Sequence, residues 1–327
     1  MITKHILEAI DTARESFKYN ISNYRSLDSI AWIVTNHAKS NKGLTAEKLK
    51  LVLDAISIFN EYAIEDLEER HHVDFLTRKT ALYETIGNDD VKTKTLEALK
   101  EISLVDFHYY MLTKLLADIN LYSNATEENL KNVKKALDYI KVNNLESLSS
   151  YKINVMRLRL FWFYENKIPL FNGERVVIKK GISFWHEVVD LSDRILSSAY
   201  NNNIIFYRFI KAVGLFHVGQ YKASEEIFNY LSRDSESISG SRRVFKSFLM
   251  ADENGVRKFS GEVININSLR NRGEIYIDEL KTKVTFLPTD FNLTSEKIGF
   301  SITDFHIAFN FLRPTADNEK YFQGANQ

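Results

Sequence analysis

The sequence predicts a mainly α protein: an antiparallel helical-repeat array followed by a small five-stranded β-barrel. Glycine and proline usage draws the division. Residues 1–172 hold only Gly43 and Gly87, and the first proline is Pro169. Residues 255–327 hold Gly255, Gly261, Gly273, Gly299 and Gly324 together with Pro288 and Pro314. Helix interiors exclude both residue types, whereas the turns between strands require them. Apolar residues recur at a period of 3.6 through the first part and alternate at a period of two through the last. The expected boundaries are a helical domain over 1–252, a barrel over 256–320 and a flexible tail over 321–327, with the seam in Asp252-Glu253-Asn254-Gly255.

The helices follow in order. Segments near 3–22 and 27–39 come first. Thr45 precedes a run whose apolar positions Leu49, Leu51, Val52, Ala55, Ile56 and Phe59 share one helical face. Further helices are expected near 62–85, 90–102 and 104–122. Thr126 is placed to cap a helix carrying Leu130, Val133, Ala136, Leu137 and Ile140. The remaining helices are expected near 148–166, 183–199, 203–218, 221–233 and 240–251. Short connections favour antiparallel neighbours. Asn166 to Gly181 interrupts the series with Pro169 and the strand-like run Val176-Val177-Ile178, and is expected to form a surface loop or flap.

One helix pair carries a repeat signature. Phe209 to Phe228 places small residues at Ala212 and Ser224, a turn at Gly219 and Tyr221, and a large apolar knob at Phe228. This unit resembles a tetratricopeptide repeat, although Arg208 stands where a Trp is usual. Helix pairs such as 104–122 with 127–142 share the architecture without the signature, so a tetratricopeptide-like superhelix and an irregular helical bundle both stay open.

The barrel strands read from short segments: Gly261-Glu262-Val263, then Arg272-Gly273-Glu274-Ile275-Tyr276-Ile277, then Val284-Thr285-Phe286-Leu287. Phe305 to Asn310 and Arg313 to Asn318 supply the closing pair. Val263, Ile275, Ile277, Val284 and Phe286 alternate as an inward-facing barrel core requires. In order and spacing, Gly261 to Asn318 resembles a cold-shock domain, a barrel of the oligonucleotide-binding (OB) type. That resemblance implies a single-stranded nucleic-acid ligand stacked on aromatics of one face. It also implies an aromatic-class residue at the positions held here by Asn265, Glu274, Thr285, Leu287 and Pro288, and of the set only Tyr276 keeps its ring. Stacking is worth about 1–3 kcal/mol per base, so the lost platforms remove most of the expected affinity. Glu274 adds repulsion toward phosphate. Residues 256–320 hold nine basic and nine acidic side chains, without the basic footprint of a nucleic-acid binder.

Composition excludes several classes. Lys plus Arg and Asp plus Glu each total 43, so no net charge draws the chain toward DNA or an anionic membrane. The absence of cysteine excludes disulfides, thiolate metal sites and a cysteine nucleophile. No apolar run has the length of a membrane span and Met1 to Glu8 has no signal-peptide core, so a cytoplasmic location is expected. No phosphate-cradling loop, dinucleotide fingerprint or Gly-x-Ser-x-Gly elbow occurs, which points away from an enzyme and from a bound cofactor.

Three constellations read as structure. Glu68 to Asp74 gathers metal-capable side chains, but His71 and His72 diverge by about 100° on a helix, and the run reads as a solvated charged face, with no metal expected. His186 and Asp190 sit four apart beside Trp185, as a proton-transfer pair or a helix-surface contact. Leu158 to Tyr164 is apolar nearly all round a helix and reads as a buried central helix.

The expected function is a non-enzymatic interaction or scaffold protein whose helical groove binds a protein partner, with the barrel as a docking or sensing module. The alternative is a single-stranded RNA or DNA binder. It would use Tyr276, Arg272, Arg270 and Lys283 on the barrel, and Arg242, Arg243, Arg257 and Lys258 at the domain junction. By architectural resemblance alone, it would sit in a bacterial regulatory or antiphage-defence system.

Overall fold

The computed structural model describes residues 2–19, 24–39, 43–116, 119, 121, 125–170, 175–199, 204–233, 246–267, 269, 271–293 and 298–318. Eleven α-helices among these residues precede a closed five-stranded barrel, so the expected mainly α class with a terminal barrel is observed. No helix among the described residues is long and apolar enough to cross a membrane. The chain forms two compact units, residues 1–117 and 118–327. The helix-to-strand change expected near 252–256 therefore falls inside the second unit.

The first unit holds α1 (Ile2–Tyr19), α2 (Tyr24–Lys39), α3 (Ala46–Asn60), α4 (His72–Thr85), α5 (Asp89–Ile102) and α6 (Leu104–Leu115). Local chemistry starts three of them. Thr45, Asn88 and Ser103 each accept, through a side-chain oxygen, a backbone N–H three residues on. The core between the helices is aliphatic and aromatic, with Leu27, Val52, Ala55, Phe59, Leu82 and Leu99 sealed from solvent. A buried hydroxyl pair within it is satisfied: Thr80 Oγ donates to the Leu76 carbonyl and lies 2.9 Å from Thr95 Oγ across α4 and α5.

The single helix expected over 62–85 is corrected. Residues 64–66 and 69–71 form separate 3₁₀ turns, and α4 begins only at His72. The Asp66 carboxylate takes the Ala63 N–H at 2.9 Å, and His72 Nε2 donates to the Leu67 carbonyl at 3.0 Å. These side chains compete with the helical backbone ladder and break it. The helix expected over 104–122 also ends early, at Leu115.

The second unit begins with α7 (Glu127–Val142), capped by Thr126 as expected, then α8 (Tyr151–Asn166), α9 (Ile182–Ser198), α10 (Ile205–His217) and α11 (Tyr221–Arg233). Helix α8 is the central one: Leu158, Leu160, Trp162 and Phe163 have essentially no exposure. The hairpin of α10 and α11 has the geometry its residues predict. Gly219 turns at φ +79°, Ser224 Oγ donates to the Ala212 carbonyl at 2.7 Å, and Phe228 meets Phe209 edge-on. Arg208 lays its guanidinium over the Tyr230 ring at 4.3 Å.

The strands are β1 (Val176–Val177), β2 (Phe248–Leu249), β3 (Ala251–Asp252), β4 (Gly255–Val256), β5 (Phe259–Ile266), β6 (Gly273–Ile277), β7 (Thr282–Phe286), β8 (Ser301–Asn310) and β9 (Arg313–Asp317). The barrel runs β5-β6-β7-β9-β8 and closes through pairing of β8 with β5. All pairs are antiparallel except β7 with β9, where Thr285 lies beside Thr315. Val263, Ile275, Ile277, Val284 and Phe286 are buried inside, as their alternation requires. Gly261 lets β5 and β6 approach: a Cβ there would stand 2.4 Å from the Tyr276 carbonyl oxygen.

Two expectations around this barrel are corrected. The described residues 246–251, the end of the helix expected over 240–251, form no helix. Phe248 pairs with Phe309 and Leu249 with Ala308, extending the sheet beyond the barrel, and the buried run Phe248 to Ala251 has no exposed face. A short apolar run of this kind carries no period that tells helix from strand. The loop or flap expected before Gly181 is also anchored. Its strand β1 pairs parallel to β2, and Leu170 and Ile178 are buried in the core. The seam at 252–255 is a tight hairpin of β3 and β4, with the Asn254 N–H donating to the Asp252 carboxylate at 2.8 Å.

One apolar cluster runs from the helices into the barrel. Phe209 on α10 stacks on Phe311 at 4.2 Å and on Phe248 at 5.9 Å, and Phe216 meets Phe309 edge-on at 5.2 Å. Trp162 on α8 reaches Phe248 at 5.7 Å. Below this aromatic seam, Asp317 at the end of β9 is sealed from solvent between Lys246 Nζ at 2.6 Å and Arg175 Nη1 at 3.3 Å.

Candidate nucleic-acid interface

The outward residues of the barrel follow from pleat and register. Facing out from β5, β6 and β7 are Glu262, Glu274, Tyr276, Lys283 and Thr285, the neighbours of inward residues along each strand. Tyr276 lies between Glu262 on one side and Lys283 on the other. Its ring is half-buried, and its hydroxyl makes no hydrogen bond among the described residues.

The electrostatics of this face are close to neutral. Lys283 Nζ donates to Glu274 Oε1 at 2.9 Å, and this bond, with the nearby charge of Glu225 on α11, raises the ammonium pKa. The one expected cation at the centre of the face is therefore paired with the glutamate beside it. Thr285 Oγ donates to the Pro314 carbonyl at 3.0 Å, so this position serves the β7–β9 contact.

Helix α11 flanks this face. A cleft of about 210 Å³ opens between α11 and strands β6, β7 and β9. Ser224, Glu225, Phe228 and Ser232 line it from the helix, and Glu274, Lys283, Thr285 and Arg313 from the barrel. Ser232 Oγ fastens the far end by donating to the Leu312 carbonyl at 3.0 Å. No family model, curated protein or solved structure matches this chain.

The remaining predicted contacts are dispersed. Arg272 is exposed just before β6 and forms no ion pair among the described residues. Arg257 is committed within the chain: it pairs with Glu279, lies 4.0 Å from Asp252, and covers the Phe259 ring at 4.9 Å. Lys258 beside it is exposed. Arg242, Arg243 and Arg270 lie outside the described residues. Lys246, the neighbouring junction cation, is held by Asp317.

The other constellations resolve as structure. His71 stacks on Tyr24 at 4.6 Å, and Asp190 accepts from Arg194 at 2.7 Å. A buried histidine that sequence reasoning did not single out is His217, stacked on Trp185 at 3.9 Å, with Nδ1 donating to the Val213 carbonyl. Its Nε2 is buried without a partner, although part of the residue reaches solvent, and burial pulls its pKa down to about 4. Sequence reasoning likewise missed Glu225 and Arg313 as members of the barrel face. Glu225 belongs to a helix and Arg313 to the last strand, and no local pattern connects either with β6 and β7.

Proposed function

We propose that this is a non-enzymatic interaction protein, in which helix hairpins engage a protein partner and the OB-type, cold-shock-like barrel serves as a docking or sensing module. The observation that carries the reading is the state of the β6–β7 face. Its lysine is paired with Glu274, Glu262 and Glu225 add negative charge, and α11 stands along one side. A polyanion would find no net positive charge where the resemblance places its bases. The tetratricopeptide-like hairpin of α10 and α11 belongs to the same reading: its apolar side is joined to the barrel core, so the barrel acts as part of a rigid helical platform.

A partner anchor is available in the first unit. Trp32 is 55 % exposed on the solvent face of α2, with Arg25, Ser29 and Asn36 beside it on the same helix. Exposed tryptophans are frequent centres of protein interfaces.

The test uses the full chain, because removing the barrel would open the shared core. Wild-type protein and Trp32→Glu are immobilised in parallel and challenged with native lysate. A specific protein retained by the wild type and lost with the variant is expected. Retention of the same set by both, or retention abolished by nuclease, would refute the reading.

The runner-up is a single-stranded nucleic-acid binder, favoured by the half-buried Tyr276 ring and by Arg272, which forms no ion pair among the described residues. It predicts retardation of a labelled oligonucleotide at low salt, reduced by Arg272→Ala with a shallower salt dependence.

A further inference from the structure

The cleft between α11 and the barrel holds an arginine that forms no ion pair among the described residues. Lys283 is matched by Glu274, with Glu225 nearby. Arg313 is not matched. It sits at the start of β9, half-buried, and its guanidinium makes no ion pair or side-chain hydrogen bond among the described residues. Burial lowers its pKa, and the nearby charge of Arg272 lowers it further. A guanidinium drawn partly out of water normally gains an acceptor in exchange. Here a second arginine stands within electrostatic range in place of a carboxylate.

The surroundings define what could complete it. The guanidinium fork fits a carboxylate or phosphate with two parallel hydrogen bonds. Asn229 and Thr282 add polar groups to the walls, and Phe216, Phe228 and Tyr221 form an aromatic side. At about 210 Å³ the space suits a compact group and not a polymer strand. We infer that this cleft is a binding site for a small organic anion, a carboxylate or phosphate on a compact apolar body, with Arg313 taking the charge and the aromatic side taking the body. This site stands whether or not a protein partner docks elsewhere, and its test uses no partner.

Phenyl phosphate, benzoate and inorganic phosphate are titrated into the full chain by isothermal calorimetry. Saturable one-site binding of phenyl phosphate or benzoate is expected, tighter than that of inorganic phosphate, and the stronger of the two identifies the anionic group. Arg313→Gln should weaken it by about 10- to 100-fold, the loss of a hydrogen-bonded charged donor. Arg272→Gln should weaken it less. Thermal denaturation confirms that the variants are folded. If Arg313→Gln fails to fold, Arg313→Lys replaces it, keeping the charge while losing the fork, and an affinity loss is again expected. No saturable binding of any probe, or wild-type affinity in a folded Arg313 variant, overturns the site.

Discussion

Replacing Phe209 by Ala should destabilise helices and barrel together. The residue belongs to α10 and is sealed from solvent, and its ring meets Phe311 at 4.2 Å, Phe248 at 5.9 Å and Phe228 at 6.3 Å. Two of those partners belong to the sheet or its last turn. A buried phenylalanine removes roughly 150–250 Å² from water, which at about 25 cal/mol per Å² is about 4–6 kcal/mol. Measured Phe→Ala losses in cores run about 3–5 kcal/mol because part of the cavity collapses. A loss of about 4 kcal/mol lowers the folding constant about 1,000-fold. Hydrogen exchange of backbone amides is the assay. The slow amides of α9 and those of β6 should lose protection by the same factor, since one core serves both. If α9 amides accelerate while β6 amides keep wild-type protection, the barrel is an independent domain and the argument for a shared core fails.

Three other outcomes follow from particular contacts. His217 has a folded pKa near 4, below its unfolded value, so the unfolded chain binds the proton first. Its contribution is present above about pH 6.5 and lost as pH falls toward 4, by up to about 3 kcal/mol. His217→Phe should keep the stack on Trp185 and flatten urea-derived stability across that window; an unchanged slope would refute the assignment. Gly261→Ala should cost about 1–3 kcal/mol in thermal denaturation, because the added methyl meets the Tyr276 carbonyl at 2.4 Å and β5 must move away from β6. Asp317→Ala leaves Lys246 and Arg175 without their shared carboxylate, and a loss of about 3–5 kcal/mol is expected in denaturant unfolding. A neutral result there would mean that both cations reach water.

Much of the secondary structure was legible from local chemistry. Thr45 and Thr126 cap the helices they precede, the 3.6 period marks the core faces of α3 and α7, and the period of two marks the inward residues of β5, β6 and β7. These signals lie within a few residues of each other, so a single chain displays them. The helix expected over 62–85 begins only at His72 because competing side chains break the backbone ladder before it. The candidate face was legible as a list of residues but not as an electrostatic surface. Lys283 reads as a free cation until Glu274 is seen within hydrogen-bond reach on the next strand.

By itself, the sequence determined that helices come first and a small barrel last. Only the tertiary structure decided that α8 to α11 share a core with the barrel, that β1 and β2 extend its sheet, and that α11 borders the β6–β7 face. The physical reason is range. Capping and periodicity are energies between near neighbours in sequence, whereas Phe209 on Phe311, Lys246 on Asp317 and Arg313 beside α11 join residues far apart in the chain, whose meeting leaves no local pattern to read.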